Sequence, residues 1–185
     1  MARTEALIIN EADFKDLAPV SGDLDFEYVK PHVLATQDKW IQPILGQKLY
    51  EKIMTDVDAD NIADPYKTLL EDYVVRVAIW FTCYSGLPFW GVKVVNSGII
   101  QRIVDDGTPI DFNDIDKLAE QCRQQGEFYK QRLIDYLCAN SSSFTEYNQT
   151  DSGELGHESD NYAGGLNLEP YTKPTQRKAW YLGNN

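Results

Sequence analysis

The segment of residues 40–54, WIQPILGQKLYEKIM, constrains the fold of this chain more than any other. Pro43 lacks the N–H that an interior helical residue donates but suits the first turn of a helix. The pattern therefore predicts that one helix ends near the start of the segment and that another begins there. From Leu45 onward, apolar side chains recur at helical spacing, at Leu45, Leu49 and Ile53. The run holds no motif of catalytic side chains, which favours a role in packing and assembly.

The length and charge of the chain limit the classes of protein it can belong to. At 185 residues it is long enough for one well-buried core, with a tail. Its formal charge of −12 argues against nonspecific binding to nucleic acid or to an anionic membrane, because Lys and Arg drive both. Cys83, Cys122 and Cys138 match no zinc motif and predict free thiols. Neither a secretory signal nor a membrane span is evident, so we expect a protein made in the cytosol with no membrane partner.

Periodic apolar positions predict four helices and a mainly α fold. The first helix covers about residues 24–40, the second follows the corner, the third covers about 65–85 and the last about 113–139. Gly126 lies on the apolar stripe of the last helix, where Gly costs roughly 1 kcal/mol against Ala. It therefore predicts a close contact with another helix. Together the helices predict a four-helix, bundle-like adaptor domain over residues 1–139.

A β-hairpin is predicted at about residues 89–104, between the third and the last helix. Gly86 and Pro88 are expected to end the third helix, and two β-branched runs, FWGVKVV and IIQRIV, are then joined by the turn NSG. Because a two-stranded hairpin is marginal alone, we expect one of its faces to meet something besides solvent. The residues assigned to this feature are Leu87, Pro88, Phe89, Trp90, Asn96, Ser97 and Gly98.

An extended C-terminal arm is predicted over residues 140–185. From Asn140 the composition changes to Ser, Asn, Gly and acidic residues, which do not build a core of their own. A purely solvating linker would not carry six aromatic residues, so we predict that the arm orders on a partner. Its last part, KPTQRKAWYL, is locally basic and could dock on an acidic neighbouring copy. The predicted tail contacts are Phe144, Tyr147, Tyr162, Tyr171, Trp180 and Tyr181.

The sequence holds no catalytic or metal-binding constellation, so we expect neither enzymatic activity nor a cofactor. Asp56, Asp58 and Asp60 match the first three ligand positions of an EF-hand loop. Asn61 then replaces the turn glycine and Lys67 replaces the bidentate Glu, which favours a solvated acidic loop. The two histidines are each expected at the surface. An aromatic cluster near the end of the third helix could line a small-molecule pocket, but core or subunit contact is favoured.

Three segments together resemble the head-to-tail connector, or adaptor, proteins of tailed bacteriophages, including ring proteins of crAss-like phages. They are WIQPILGQKLYEKI, RVAIWFTCYSGLPFWGVKVVNSGIIQRI and FYKQRLIDYLCAN, and the resemblance covers roughly residues 24–140. In that family the pattern implies a small helical bundle with a projecting β-hairpin or loop. Each motif is structural, and no catalytic residue comes with it. Besides the hairpin, the residues carried over are the helix corner, Trp40, Pro43, Gly46, Leu49 and Tyr50.

The resemblance implies a homo-oligomeric ring, expected to be a dodecamer, beneath the portal protein at the head–tail junction of a virion. The arm would then bind the portal or neighbouring tail or ring proteins. DNA would pass through the ring without specific binding, and an acidic wall suits this because it repels the duplex. The alternative is a cytosolic helical adaptor that binds a peptide or protein through the hairpin and the arm. Nothing in the sequence supports a third class, a small acid-catalysed hydrolase.

Overall fold

The computed structural model describes residues 6–20, 24–90, 92–95, 98–101 and 111–149, together with 154, 156 and 157. The chain is mainly α, as predicted. Its elements are α1 Glu11–Leu17, α2 Phe26–Thr36, α3 Gln42–Leu45, α4 Gln47–Asp58, α5 Tyr66–Leu69, α6 Val75–Trp90, β1 Val92–Val95, β2 Gly98–Gln101 and α7 Phe112–Ala139. Two π-helical turns, Gln37–Ile41 and Leu70–Val74, link α2 to α3 and α5 to α6, and a 3-10 turn, Thr145–Asn148, follows α7.

The core surrounds α6, which packs against α7 and also against α2. Three consecutive residues of α6, Val77, Ala78 and Ile79, are all buried, so the helix is covered on more than one side. A Cβ added at Gly126 of α7 would lie 3.1 Å from ring atoms of Phe81 in α6. This confirms the close helix contact predicted there, because only a residue without a side chain lets the phenyl ring approach the α7 backbone so closely.

At the helix corner Pro43 lies in the first turn of a short helix, α3, as predicted, but no break separates α3 from the preceding helix. The chain continues from α2 through the π-helical turn into α3, and the N–H of Gln42 donates to the carbonyl of Gln37 five residues earlier. Through this wider turn the chain stays helical although Pro43 has no N–H to donate. The direction changes instead at Gly46, whose φ of 74° is a left-handed conformation that ends α3 and precedes α4.

The end of α6 is also a correction, since the helix passes through Gly86 and Pro88 and ends at Trp90. Leu87, Pro88, Phe89 and Trp90 are therefore helical rather than part of a hairpin. A Cβ at Gly86 would lie 2.2 Å from the Trp90 indole, so the ring folds back over the bare backbone of its own helix. This burial of a large aromatic surface offsets the backbone hydrogen bond that Pro88 cannot make.

Two short strands follow α6 directly. β1 pairs with β2 in antiparallel register, with Val92 opposite Gln101 and Val95 opposite Gly98. The predicted turn residues Asn96 and Ser97 lie outside the described residues. A hairpin that projects from the bundle therefore stays a prediction, as does its outer limit at residue 104.

The core continues past the end of α7 into the segment predicted as an arm. Phe144 is fully buried and Tyr147 is 3% exposed, and both belong to the same core cluster as the helices. The other predicted tail contacts, Tyr162, Tyr171, Trp180 and Tyr181, lie outside the described residues. Their role on a partner stays a prediction.

Candidate functional site

A buried glutamine organises the helix corner. Gln37 is 2% exposed, and its Oε1 accepts the N–H of Ile8 at 2.9 Å. Its Nε2 donates to the carbonyl of Ala6 and to the hydroxyl of Tyr50, each at 3.3 Å. One side chain thus holds the N-terminal segment against α4. This role was not predicted, because a lone Gln within a helical pattern ordinarily faces solvent.

The aromatic residue of the corner packs within this chain. The indole of Trp40 stacks on Phe81 with ring centroids 4.8 Å apart and an interplanar angle of 7°, and it meets Tyr84 edge-on at 6.0 Å. Leu49 of α4 is fully buried. Pro43 is half-buried in α3. Together with Tyr50, which accepts from Gln37, these predicted site residues form a rigid internal corner.

Gly46 contacts the last described residue of the chain. A Cβ at Gly46 would lie 3.1 Å from the backbone nitrogen of His157, whose ring stacks on Tyr147 at 4.1 Å. The Nδ1 of His157 and the hydroxyl of Tyr147 are buried without a hydrogen-bond partner among the described residues. His157 is thus half-buried rather than at the surface as predicted, and the corner holds the chain that follows α7.

A second set of contacts fixes the same segment to α5. The Phe144 ring meets Tyr66 edge-on at 5.6 Å and also contacts Tyr136 at 6.0 Å. The Tyr66 hydroxyl donates to Oε2 of Glu146 at 2.8 Å. Burial, followed by the neighbouring Glu146 carboxylate, raises the pKa of Tyr66 to about 12, because both disfavour the phenolate.

At the C-terminal end of α6 lie three aromatic side chains, the exposed Tyr28 and Phe89 and the half-buried His32, which we call the aromatic face. His32 is thus not at the surface as predicted. Phe89 is 62% exposed and Tyr28 is 57% exposed. Tyr28 and His32 lie one turn apart on α2, and the His32 ring lies 5.5 Å from that of Phe89. Burial lowers the pKa of His32, which favours its neutral form and keeps the patch uncharged near pH 7.

Trp90 supports the aromatic face from beneath. Its indole meets His32 edge-on at 5.9 Å and Phe14 of α1 at 6.0 Å. Its Nε1 is buried without an acceptor among the described residues. The predicted site residues therefore lie in two regions. The corner, Phe144 and Tyr147 belong to the core region, whereas Phe89 and Trp90 lie at the end of α6, next to β1.

The described part of the chain offers little for covalent or metal chemistry. It holds no group of three or more His, Cys, Asp or Glu side chains that could bind a metal ion. Asp56 and Asp58, predicted in an acidic loop, lie instead in the last turn of α4, where Asp56 accepts from Nζ of Lys52 at 2.7 Å. Burial raises the pKa of the Cys83 and Cys122 thiols, which leaves them poor nucleophiles.

Comparison with known proteins gives a family but no function. None of the helices described is both long and apolar enough to cross a membrane. The chain matches no curated protein and no solved structure. A family model does match, over residues 41–155, which run from the corner to the segment that follows α7. Since that match covers more than half of the 185 residues, the chain belongs to DUF6712, a family of unknown function.

Proposed function

We propose that this chain is a non-enzymatic virion protein that forms a ring at the head–tail junction, joins the portal to the tail and continues the DNA channel. The observation that carries the proposal is the aromatic face, with Phe89 62% exposed at the end of α6, directly before β1. A large aromatic side chain held in the open by a rigid helix is typical of a protein contact.

The finer architecture that we propose is a helical bundle from which β1 and β2 project as a hairpin. Within the described residues the two strands form a two-stranded sheet, and each therefore has one outer edge. Such a sheet is marginally stable in water and its edges can accept another strand. A neighbouring copy or the portal protein that covers the aromatic face would also support the strands beside it.

The charge of the chain agrees with the passage of DNA. The formal charge is −12, so an assembled ring would present an acidic surface that repels the phosphate backbone. In the proposed ring, DNA makes no specific contact with the wall and slides through. A lumen lined by Lys and Arg would contradict this part of the proposal.

Electron microscopy of the purified chain mixed with the portal protein encoded beside it tests the proposal. We expect a ring, with twelve copies as the expected number, stacked on the portal. A chain that remains monomeric with the portal present would overturn the connector function.

A helical protein-interaction adaptor of the cytosol is the second candidate. Three exposed apolar residues along α7 favour it, Phe112 at 51%, Leu118 at 44% and Phe128 at 56%. They lie at different positions around the helix and offer apolar contacts besides those of the aromatic face. Under this alternative the chain binds a peptide or protein through the hairpin and the arm and stays monomeric with the portal present.

A further inference from the structure

A groove with an acidic border lies at the C-terminal end of α4, the end away from the corner. Its volume is about 510 Å³, and it is bounded by the N-terminal segment, α1, the end of α4 and the start of α6. Its base is apolar and includes Ile8, Val57 and Leu70. Four carboxylates border it, and we call it the acidic groove; these residues are Asp13, Asp56, Asp60 and Glu71.

The negative charge of the acidic groove indicates what kind of segment could bind there. No Lys or Arg is among the residues that line it. Lys52 pairs with Asp56, and Lys67 lies 3.9 Å from Glu71, so two of the four carboxylates are partly compensated from outside. Asp60 is exposed at the end of α4. A segment that combines cations with apolar side chains is therefore complementary to both the border and the base.

The chain contains one such segment, residues 173–182, KPTQRKAWYL. Lys173, Arg177 and Lys178 are followed by Trp180, Tyr181 and Leu182, and residues 173–185 contain no Asp or Glu. No other stretch of thirteen residues in the sequence has three cationic side chains and no acidic one. Copies of a chain with a charge of −12 repel one another, so this segment is the natural source of an attractive contact between them.

The length of the intervening chain permits a contact between neighbouring copies. The last described residue, His157, is held beside Gly46 at the start of α4. Residues 158–172 then precede the basic segment, and fifteen extended residues span at most about 50 Å. A folded chain of this length is only about 40 Å across. The basic segment can therefore reach the acidic groove of an adjacent subunit.

We propose that the acidic groove binds residues 173–182 of a neighbouring copy, so that successive subunits are linked by their C-terminal segments. This inference rests on the proposed ring and deepens it by naming one contact between subunits. The cations face the four carboxylates, and the apolar side chains at the end of the segment cover the base of the groove.

Zero-length carbodiimide cross-linking of the full chain tests the inference. The protein is prepared with ¹⁴N and with ¹⁵N, mixed, assembled with the portal protein and cross-linked, and the peptides are sequenced by mass spectrometry. We expect mixed-isotope links from Lys173 or Lys178 to carboxylates of the acidic groove. Links within a single isotope only, or links to other carboxylates only, overturn the inference.

A charge exchange supplies the matched variants. Lys178→Glu is expected to lower the yield of mixed-isotope links about tenfold, and Glu71→Lys in the same chain is expected to restore it. Lys117→Glu makes the same charge change on an exposed residue of α7 and should leave the yield unchanged. Loss without restoration by the paired change also counts against the inference.

The two proposals fail in different ways. A ring that forms on the portal without these links contradicts the proposed contact in the acidic groove but agrees with the connector function. Mixed-isotope links in a chain that forms no ring support the groove contact and contradict the connector function.

Discussion

The middle of α6 and its C-terminal end hold aromatic clusters of similar composition and different exposure. At the corner, Phe81 is fully buried between Trp40 and Gly126. Eight residues further along the same helix, Phe89 is 62% exposed. Aromatic content alone therefore does not distinguish a core from a contact surface. We infer that the corner carries the stability of the fold and that the aromatic face is available for recognition.

Truncation of Phe81 should have the largest effect on stability. Phe81→Ala removes a buried ring that stacks on Trp40 and leaves a cavity, so we expect a loss of about 3–5 kcal/mol in the free energy of unfolding. Urea unfolding followed by circular dichroism measures it. The same truncation at Phe128, which is 56% exposed on α7, should change stability by less than about 0.5 kcal/mol. Equal losses would contradict the division between corner and surface.

Truncation of Phe144 tests whether the core extends past the end of α7. Phe144→Ala should cost about 3 kcal/mol, because its buried ring packs on Tyr66 and Tyr136. Chemical unfolding is again the measurement, and Phe112→Ala, at a position 51% exposed, is the control. If Phe144→Ala behaves like its control, the core ends with α7 and the arm begins at residue 140 as first predicted.

The buried glutamine of the corner should have an intermediate effect. Gln37→Ala leaves the N–H of Ile8 and the carbonyl of Ala6 without their partner, which costs about 1–3 kcal/mol. Hydrogen exchange should show faster exchange at the Ile8 amide than in the wild type. Gln131→Ala, which removes only an exposed contact to Asp135, is the matched control. Unchanged protection of Ile8 would show that Gln37 is not the residue that holds the N-terminal segment.

The smallest predicted effect is a dependence of stability on alkaline pH. The folded pKa of Tyr66 is raised to about 12 from 10.0, so its contribution is fully present below pH 10 and is lost as the pH rises through about 12. Tyr66→Phe should therefore make the decline of the unfolding free energy between pH 10 and 12 less steep. Denaturant titrations at several pH values measure it, and an identical slope in both proteins would contradict the prediction.

The regular parts of this fold could be predicted from the sequence, and its exceptions could not. The last helix was expected at about 113–139 and is found at Phe112–Ala139, because its apolar stripe is long and periodic. Pro43 was expected in the first turn of a helix and is found there, but the π-helical turn that joins the two helices and the turn at Gly46 were not predicted. Gly86 and Pro88 misled the prediction of the end of α6, because local rules do not include an indole that packs over Gly86.

The candidate surfaces were predictable only in part. Phe89 and Trp90 were identified as important, but their separation into an exposed and a supporting ring depends on contacts with His32 and Phe14 from distant parts of the sequence. Phe144 lies in a polar stretch without periodicity, so nothing local indicated its burial. Long-range packing decided both outcomes.

Mass photometry of Phe89→Ala mixed with the portal protein, beside the wild type, tests whether the aromatic face forms the contact between subunits. The unfolding free energy of this variant, expected within about 0.5 kcal/mol of the wild type, shows that the fold is intact. We predict that the wild type forms a ring on the portal and that Phe89→Ala remains monomeric. A folded Phe89→Ala protein that assembles as well as the wild type would contradict the account.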